Sequence, residues 1–229
     1  MAMVETTISS PVLDGPGSVS YFTDFTAPIG TGGDSKIVGV GAGTGTVLAL
    51  AGEAGHPGIR QISTGASATG SYHTGMVGNA ALLGDGPVST ILLARIPVLS
   101  IAAQRFNCYH GFFNNVTADP TNGVFFVASD NINSGNWRLD VVVGGVTVSV
   151  DSGLAAVANT WVKSSITLSS TRVLAASIGG HVLDVSSLAS VALPTATGIW
   201  GFNIRKTVGA TARVWDADYF GFSYSLNRE

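Results

Sequence analysis

The chain has 229 residues, of which 45% are apolar and only 11% charged, with a net charge of −3. Apolar content of that size builds a core, and high hydrophobicity with sparse charge excludes a disordered chain. No cluster of Lys and Arg occurs, so long-range attraction to phosphate backbones is missing and nucleic acid is excluded as a partner. The exterior must be neutral, which predicts that neighbouring subunits cover part of it. The single cysteine, Cys108, excludes an internal disulfide and reads as a buried small apolar residue among aromatics. No uninterrupted apolar run of about 18 residues occurs, so no membrane span is expected. Residues 1–10 carry Glu5 where the apolar part of a signal peptide would lie, so folding in a cytoplasm is expected.

In chain order, residues 1–20 read as an extended arm, rich in Pro and Gly and without periodicity. A single domain is expected over residues 21–229. Gly39 to Gly45 lacks the spacing of a phosphate loop and reads as a tightly turned connection between strands. Val88–Ile96 and Val98–Phe106, separated by Pro97, read as buried strands. Six short apolar runs follow: Gly123–Ser129, Trp137–Val143, Val146–Val150, Trp161–Leu168, Arg172–Ile178 and His181–Val185. Gly144-Gly145 and Gly179-Gly180 supply the positive φ of two-residue hairpins, and Val146, Val148 and Val150 alternate with polar residues. Residues 123–185 are therefore expected to form an antiparallel meander. Gly198–Lys206 and Ala212–Ser225 close the chain. In the latter, Val214, Asp216, Asp218, Phe220 and Phe222 fall on one side, with Trp215, Ala217 and Tyr219 on the other. Strands arriving roughly every 8–12 residues, with no convincing helix, predict an all-β fold: a two-sheet antiparallel β-sandwich.

Four segments carry a resemblance. They are Gly52 to Gly65 (GEAGHPGIRQISTG), Gly135 to Arg138, Asp151-Ser152-Gly153 running to Ala158-Asn159-Thr160-Trp161, and Trp215 to Phe220. Together they resemble the concanavalin-like, lectin or laminin-G type jelly-roll modules of bacteriophage structural proteins. The resemblance spans about residues 20–226. It implies a virion component made in a host bacterial cytoplasm: a head-decoration protein or a tail or fibre appendage subunit. Residues 1–20 would then be its attachment arm, other virion proteins its partners, and a homo-oligomer, a trimer, its form. The alternative is a carbohydrate-recognition module that binds host-surface glycans.

Jelly rolls also include glucan hydrolases, which need two close carboxylates and commonly carry them as Glu-x-Asp-x-x-Glu. The only glutamates are Glu5, Glu53 and Glu229, none in that pattern, so the chain is expected not to be an enzyme. Asp216 and Asp218 stand at i, i+2 on one strand face. They could gather around Ca²⁺ with further oxygens such as Asp24 or Asp34, or could be a solvated strand end or a brace for a neighbouring loop. No other cofactor is expected. His56, His73, His110 and His181 show no metal-ligand spacing. His56, before Pro57, is expected to brace its turn. Tyr72 and His73 are assigned to a loop that could touch a ligand. Of the four tryptophans, Trp161, Trp200 and Trp215 are expected in the core, and Trp137, following a turn, is the one expected at the surface to stack on a sugar.

Overall fold

Glycine pairs set the hairpins. Gly144 (φ 57°) and Gly145 (φ 84°) close one turn, and Gly179 (φ 57°) and Gly180 (φ 84°) close another, as the mirror-image turn of a two-residue hairpin requires. The structure, a computed structural model, describes residues 18–25, 38–77, 87–194 and 198–225. Their strands form two antiparallel sheets. The eight-stranded sheet runs β13 (His181–Val182), β12 (Val173–Ile178), β11 (Val162–Leu168), β6 (Val88–Arg95), β15 (Val214–Ser225), β4 (Ile59–Ser63) and β3 (Thr46–Leu50). Strand β1 (Ser18–Thr23) also pairs with β15. The seven-stranded sheet runs β10 (Val146–Ala155), β9 (Asn136–Val143), β8 (Gly123–Ala128), β7 (Phe106–Phe113), β14 (Ile199–Lys206), β5 (Ser71–Val77) and β2 (Val38–Ala42). This is the expected jelly-roll β-sandwich. Among the described residues no helix is long and apolar enough to cross a membrane.

The sheets meet over an aromatic core that includes Phe106, Phe112, Phe126, Trp200, Phe202, Trp215 and Phe220. Burying each such ring contributes about 1.5–3 kcal/mol. His110 sits inside this layer and ties the sheets together. Its Nδ1 meets the Ser164 hydroxyl at 2.7 Å and its Nε2 meets Thr90 Oγ1 at 3.1 Å.

Several expectations need correction. The 123–185 meander is two. Strands β8, β9 and β10 lie in one sheet and β11, β12 and β13 in the other, with residues 156–161 crossing between them. Strand β10 runs on to Ala155, and β13 ends at Val182. Residues 98–105 are not a strand. They carry the chain from β6 in one sheet to β7 in the other, pinned by an isolated bridge between Ile101 and Gln104. Pro97 starts that departure, and its ring cannot continue a ladder. Residues 38–42 are strand β2, and the tight turn begins at Gly43 (φ 63°). Residues 1–17 of the expected arm lie outside the described residues. Ser18, placed in the arm, already pairs with Ser225.

The closing strand holds the most instructive difference. Ala217 pairs with Ala94 and Tyr219 with Leu93, which leaves Asp218 as an extra, unpaired residue. Such a β-bulge reverses the parity of everything after it. Trp215 and Ala217 therefore face the core together with Phe220 and Phe222, not opposite them. An unbulged strand would have driven either two carboxylates or two phenylalanines to the wrong side.

Candidate functional site

Register places five side chains of the seven-stranded sheet in one row. Asn203 on β14 stands between His73 on β5 and Tyr109 on β7. Tyr109 stands opposite Val127 on β8, and Val127 opposite Arg138 on β9. Paired residues share a face, and here it is the one turned away from the core, because their neighbours Cys108, Phe126, Leu139 and Ile204 point between the sheets. Over this face opens a cleft of about 430 Å³.

Its walls are ion pairs. Arg138 meets Asp140 through two parallel contacts of 2.7 Å, and Ser149 donates to the same carboxylate at 2.7 Å. Arg105 holds Asp130 through Nε and Nη2 at 3.0–3.2 Å. Those hydrogen bonds keep the Asp130 carboxyl below its ordinary value. Arg205 pairs with Asp119 from the 114–122 loop. At the centre Tyr109 accepts from Asn107 at 2.6 Å and donates to Asp119 at 2.8 Å. Burial pushes its hydroxyl up to about 12. Phe125, Val127 and Val142 form an apolar floor, and Val208 stands 39% exposed at the rim.

The side chains singled out by sequence lie elsewhere or beneath. Trp137 is 5% exposed and packs 6.4 Å from Trp215 in the core, so its expected surface position is corrected. The turn before it ends at Gly135, Asn136 opens the strand, and strand parity then points Trp137 inward with Leu139. Tyr72 and His73 are on strand β5, not in a loop, and point to opposite faces. Tyr72 packs against the core. His73 shares the face of the cleft but is fully buried, edge-on to Phe113, with neither ring nitrogen hydrogen-bonded. The 114–122 loop is tied down beside it by Asn203, whose amide donates to the Val116 carbonyl at 3.1 Å. Burial lowers His73 to about 3, with Arg60 adding to the effect and the nearby Phe202 backbone offsetting part of it.

Asp218 braces the 53–58 loop, one of the roles left open for the pair, while Asp216 ties its strand to β4 and β6. Asp216 accepts from Gln61 at 2.8 Å and Arg95 at 3.0 Å, and Asp218 meets His56 at 2.9 Å. Both are nearly buried, and among the described residues no group of three or more His, Cys, Asp or Glu is placed to hold a metal ion. Arg95 and His56 are the partners these two carboxylates have in the fold. The tryptophan that stays half-exposed is Trp161. Its indole stacks on His56 at 4.2 Å, lies 4.7 Å from the Arg95 guanidinium carbon and donates to Glu53 at 2.9 Å. This cluster fastens the Gly52–Gly65 segment onto the eight-stranded sheet, and His56 braces its turn from within it. Sequence reasoning missed the cleft residues Arg105, Asn107, Tyr109, Asp119, Arg138, Asp140 and Arg205. The available signal was the i, i+2 polar pairs Asn107/Tyr109 and Arg138/Asp140, each on a strand otherwise mostly apolar.

A family model described as "SO2946-like, C-terminal domain" matches residues 55–218. Among solved structures, a protein of unknown function, SO2946 from Shewanella oneidensis MR-1, is similar with a TM-score of 0.73 at 17% identity, covering 96% of this chain and 93% of that one. Endo-β-1,4-glucuronan lyase from the fungus Trichoderma reesei gives 0.52 at 12% identity, over 80% of this chain and 88% of that one. Alginate lyase AlyC3 gives 0.50 at 11% identity, over 73% and 75%. No curated protein matches the sequence. At these identities the likeness establishes the fold they share.

Proposed function

This chain belongs to the SO2946-like C-terminal domain family, and we propose that it is a non-catalytic carbohydrate-recognition module whose ligand lies in the cleft of the seven-stranded sheet. One observation carries the reading. A cavity of about 430 Å³ is lined by Arg–Asp pairs, a tyrosine and an asparagine above an apolar floor. That is the size of a ligand pocket, and polar groups converge there on an apolar floor, although its walls are more polar than those of an ordinary small-molecule site. The fold adds support, since glucuronan lyase and alginate lyase, which act on polysaccharides, are built on it.

The non-catalytic part rests on acid–base chemistry. General catalysis near neutral pH wants a group that titrates there. Among the described residues the cleft is lined by no His, Glu or Lys, and Tyr109 is held as a neutral phenol, its hydroxyl up at about 12. In a glycan array probed with the full chain, binding is expected. Titration against the best oligosaccharide should show Asp119→Ala weakening it about tenfold, the size of one lost hydrogen bond to a charged group. Val208→Trp, which fills the rim, should abolish it. Undiminished binding in both variants overturns the assignment of the cleft, and release of an unsaturated product from alginate or glucuronan overturns the non-catalytic part.

The finer reading places the module on a bacteriophage virion as a decoration or appendage subunit, associating as a trimer. The sequence resemblance supports it, as does a long edge that no further described strand covers. Strand β10 is the last of its sheet, carries one charge, Asp151, in ten residues, and shows Val146 71% exposed. Free edges usually carry charge or proline that discourages pairing. Light scattering is expected to give three times the chain mass, and Val146→Lys to shift it toward monomer. A wild-type chain that stays monomeric at high concentration defeats the trimer.

A further inference from the structure

We infer that the cleft of the seven-stranded sheet selects an uncharged glycan and rejects polyuronates and sulfated sugars. The inference rests on the carbohydrate reading and narrows it to a ligand class. Its basis is the charge count. The lining cations are Arg105, Arg138 and Arg205, and each already has its own carboxylate: Asp130, Asp140 and Asp119. Asp119 and Asp140 line the cleft beside the arginines, whereas Asp130 lines the neighbouring cavity, and across the three pairs the charges cancel. Two of the pairs are bidentate, the geometry in which guanidinium and carboxylate satisfy each other most fully.

An anionic ligand entering this cleft has two options, both unfavourable. It can displace an aspartate, which loses a formed ion pair. Otherwise it lies beside Asp119 and Asp140, where like charges repel in a partly dry site. A neutral sugar meets neither obstacle. Arg138 spends Nε and Nη2 on Asp140, which leaves its remaining N–H groups able to donate to a hydroxyl. Asp119, 75% exposed at its side chain, keeps acceptor capacity for a hydroxyl donor. Neighbouring sugar hydroxyls both donate and accept, so one pair of them can satisfy an Arg–Asp pair without breaking it. Val208 and the floor of Phe125 and Val127 suit the C–H faces of a pyranose ring.

The test is calorimetry on the full chain with two sets of oligosaccharides: neutral fragments of glucan, mannan and galactan, and acidic fragments of alginate, glucuronan and a sulfated galactan. At least one neutral fragment should bind, with affinity constant within about twofold between roughly 0.05 and 0.5 M salt, because no net charge is matched. Every acidic fragment should bind at least about tenfold more weakly. Asp119→Asn should invert the preference. It weakens the neutral ligand and frees Arg205, so an acidic fragment should gain about tenfold in a salt-sensitive manner. Acidic fragments preferred by the native chain, or a variant that shifts neither class, overturn the inference and leave carbohydrate recognition standing. Failure of every fragment of both sets overturns both.

Discussion

Replacing Gly201 with alanine is expected to cost about 2–6 kcal/mol, enough to unfold much of the population at room temperature. Gly201 on β14 stands between Gly75 on β5 and Gly111 on β7, so three glycines lie side by side across the seven-stranded sheet. Their φ angles are +151°, +153° and +142°, a region that residues with a Cβ rarely enter. Space is lacking as well. A Cβ on Gly201 would lie 2.2 Å from the Thr74 carbonyl oxygen and 2.7 Å from the Gly75 Cα. Those are backbone atoms of a paired strand, which no rotamer change can move aside. Backbone strain of about 1–3 kcal/mol and overpacking of about the same size add here, since both arise at one atom. Urea unfolding should show a large drop in midpoint with unchanged slope. Gly144→Ala is the comparison: φ is +57° there but no atom lies within 4 Å, so only the conformational cost of about 1–2 kcal/mol applies. Equal losses in the two variants would refute the close approach.

That row of glycines marks the boundary of what sequence discloses. Within a strand, alternation tells which residues share a face, and so the hairpins at Gly144-Gly145 and Gly179-Gly180 and the strands around them were legible. Which strands become neighbours is decided by contacts far apart in the chain. Nothing local says that β14 inserts between β5 and β7, so Gly75, Gly111 and Gly201 look like three unrelated residues until the register is known. The cleft is hidden for the same reason. Asn107/Tyr109 and Arg138/Asp140 are visible as pairs, but their partners Asp119 and Arg205 arrive from a loop and from a strand late in the chain. The bulge at Asp218 shows a second kind of blindness. One extra residue reverses parity, and only packing reveals it, because it lets Trp215 and Phe220 share the core. Trp137 and Trp161 exchanged their expected roles through the same gap: Trp161 stays half-exposed because Glu53, His56 and Arg95 come to meet it.

Acid is expected to unfold the protein well before its carboxylates are exhausted, and two buried histidines supply the reason. His73 and His110 are both fully buried and both lowered from 6.5 to about 3 by desolvation. The unfolded chain takes up a proton on each as pH falls below about 6.5, while the folded chain refuses it until about pH 3. Stability from this source is therefore complete above pH 6.5 and is lost on the way down through that window. Each histidine contributes a slope of up to about 1.4 kcal/mol per pH unit, so the pair removes roughly 5 kcal/mol by about pH 4.5. That is comparable with the whole stability of an ordinary domain. The two can be told apart. His110 holds Ser164 and Thr90, and removing it strands the Ser164 hydroxyl between the sheets, while Thr90 keeps the Gly221 carbonyl. Neither ring nitrogen of His73 has a hydrogen bond of normal geometry; the Phe202 backbone lies near it and Phe113 meets it edge-on at 5.6 Å. In His73→Phe the ring contact survives and two unsatisfied nitrogens disappear, so stability at pH 7 should hold or rise. Between pH 6.5 and 4.5 the slope of unfolding free energy should fall by about half. His110→Phe should also flatten the slope but lose about 1–3 kcal/mol at pH 7. If His73→Phe keeps the full acid slope of the native chain, His73 is not the buried neutral group described here and the acid sensitivity has another origin.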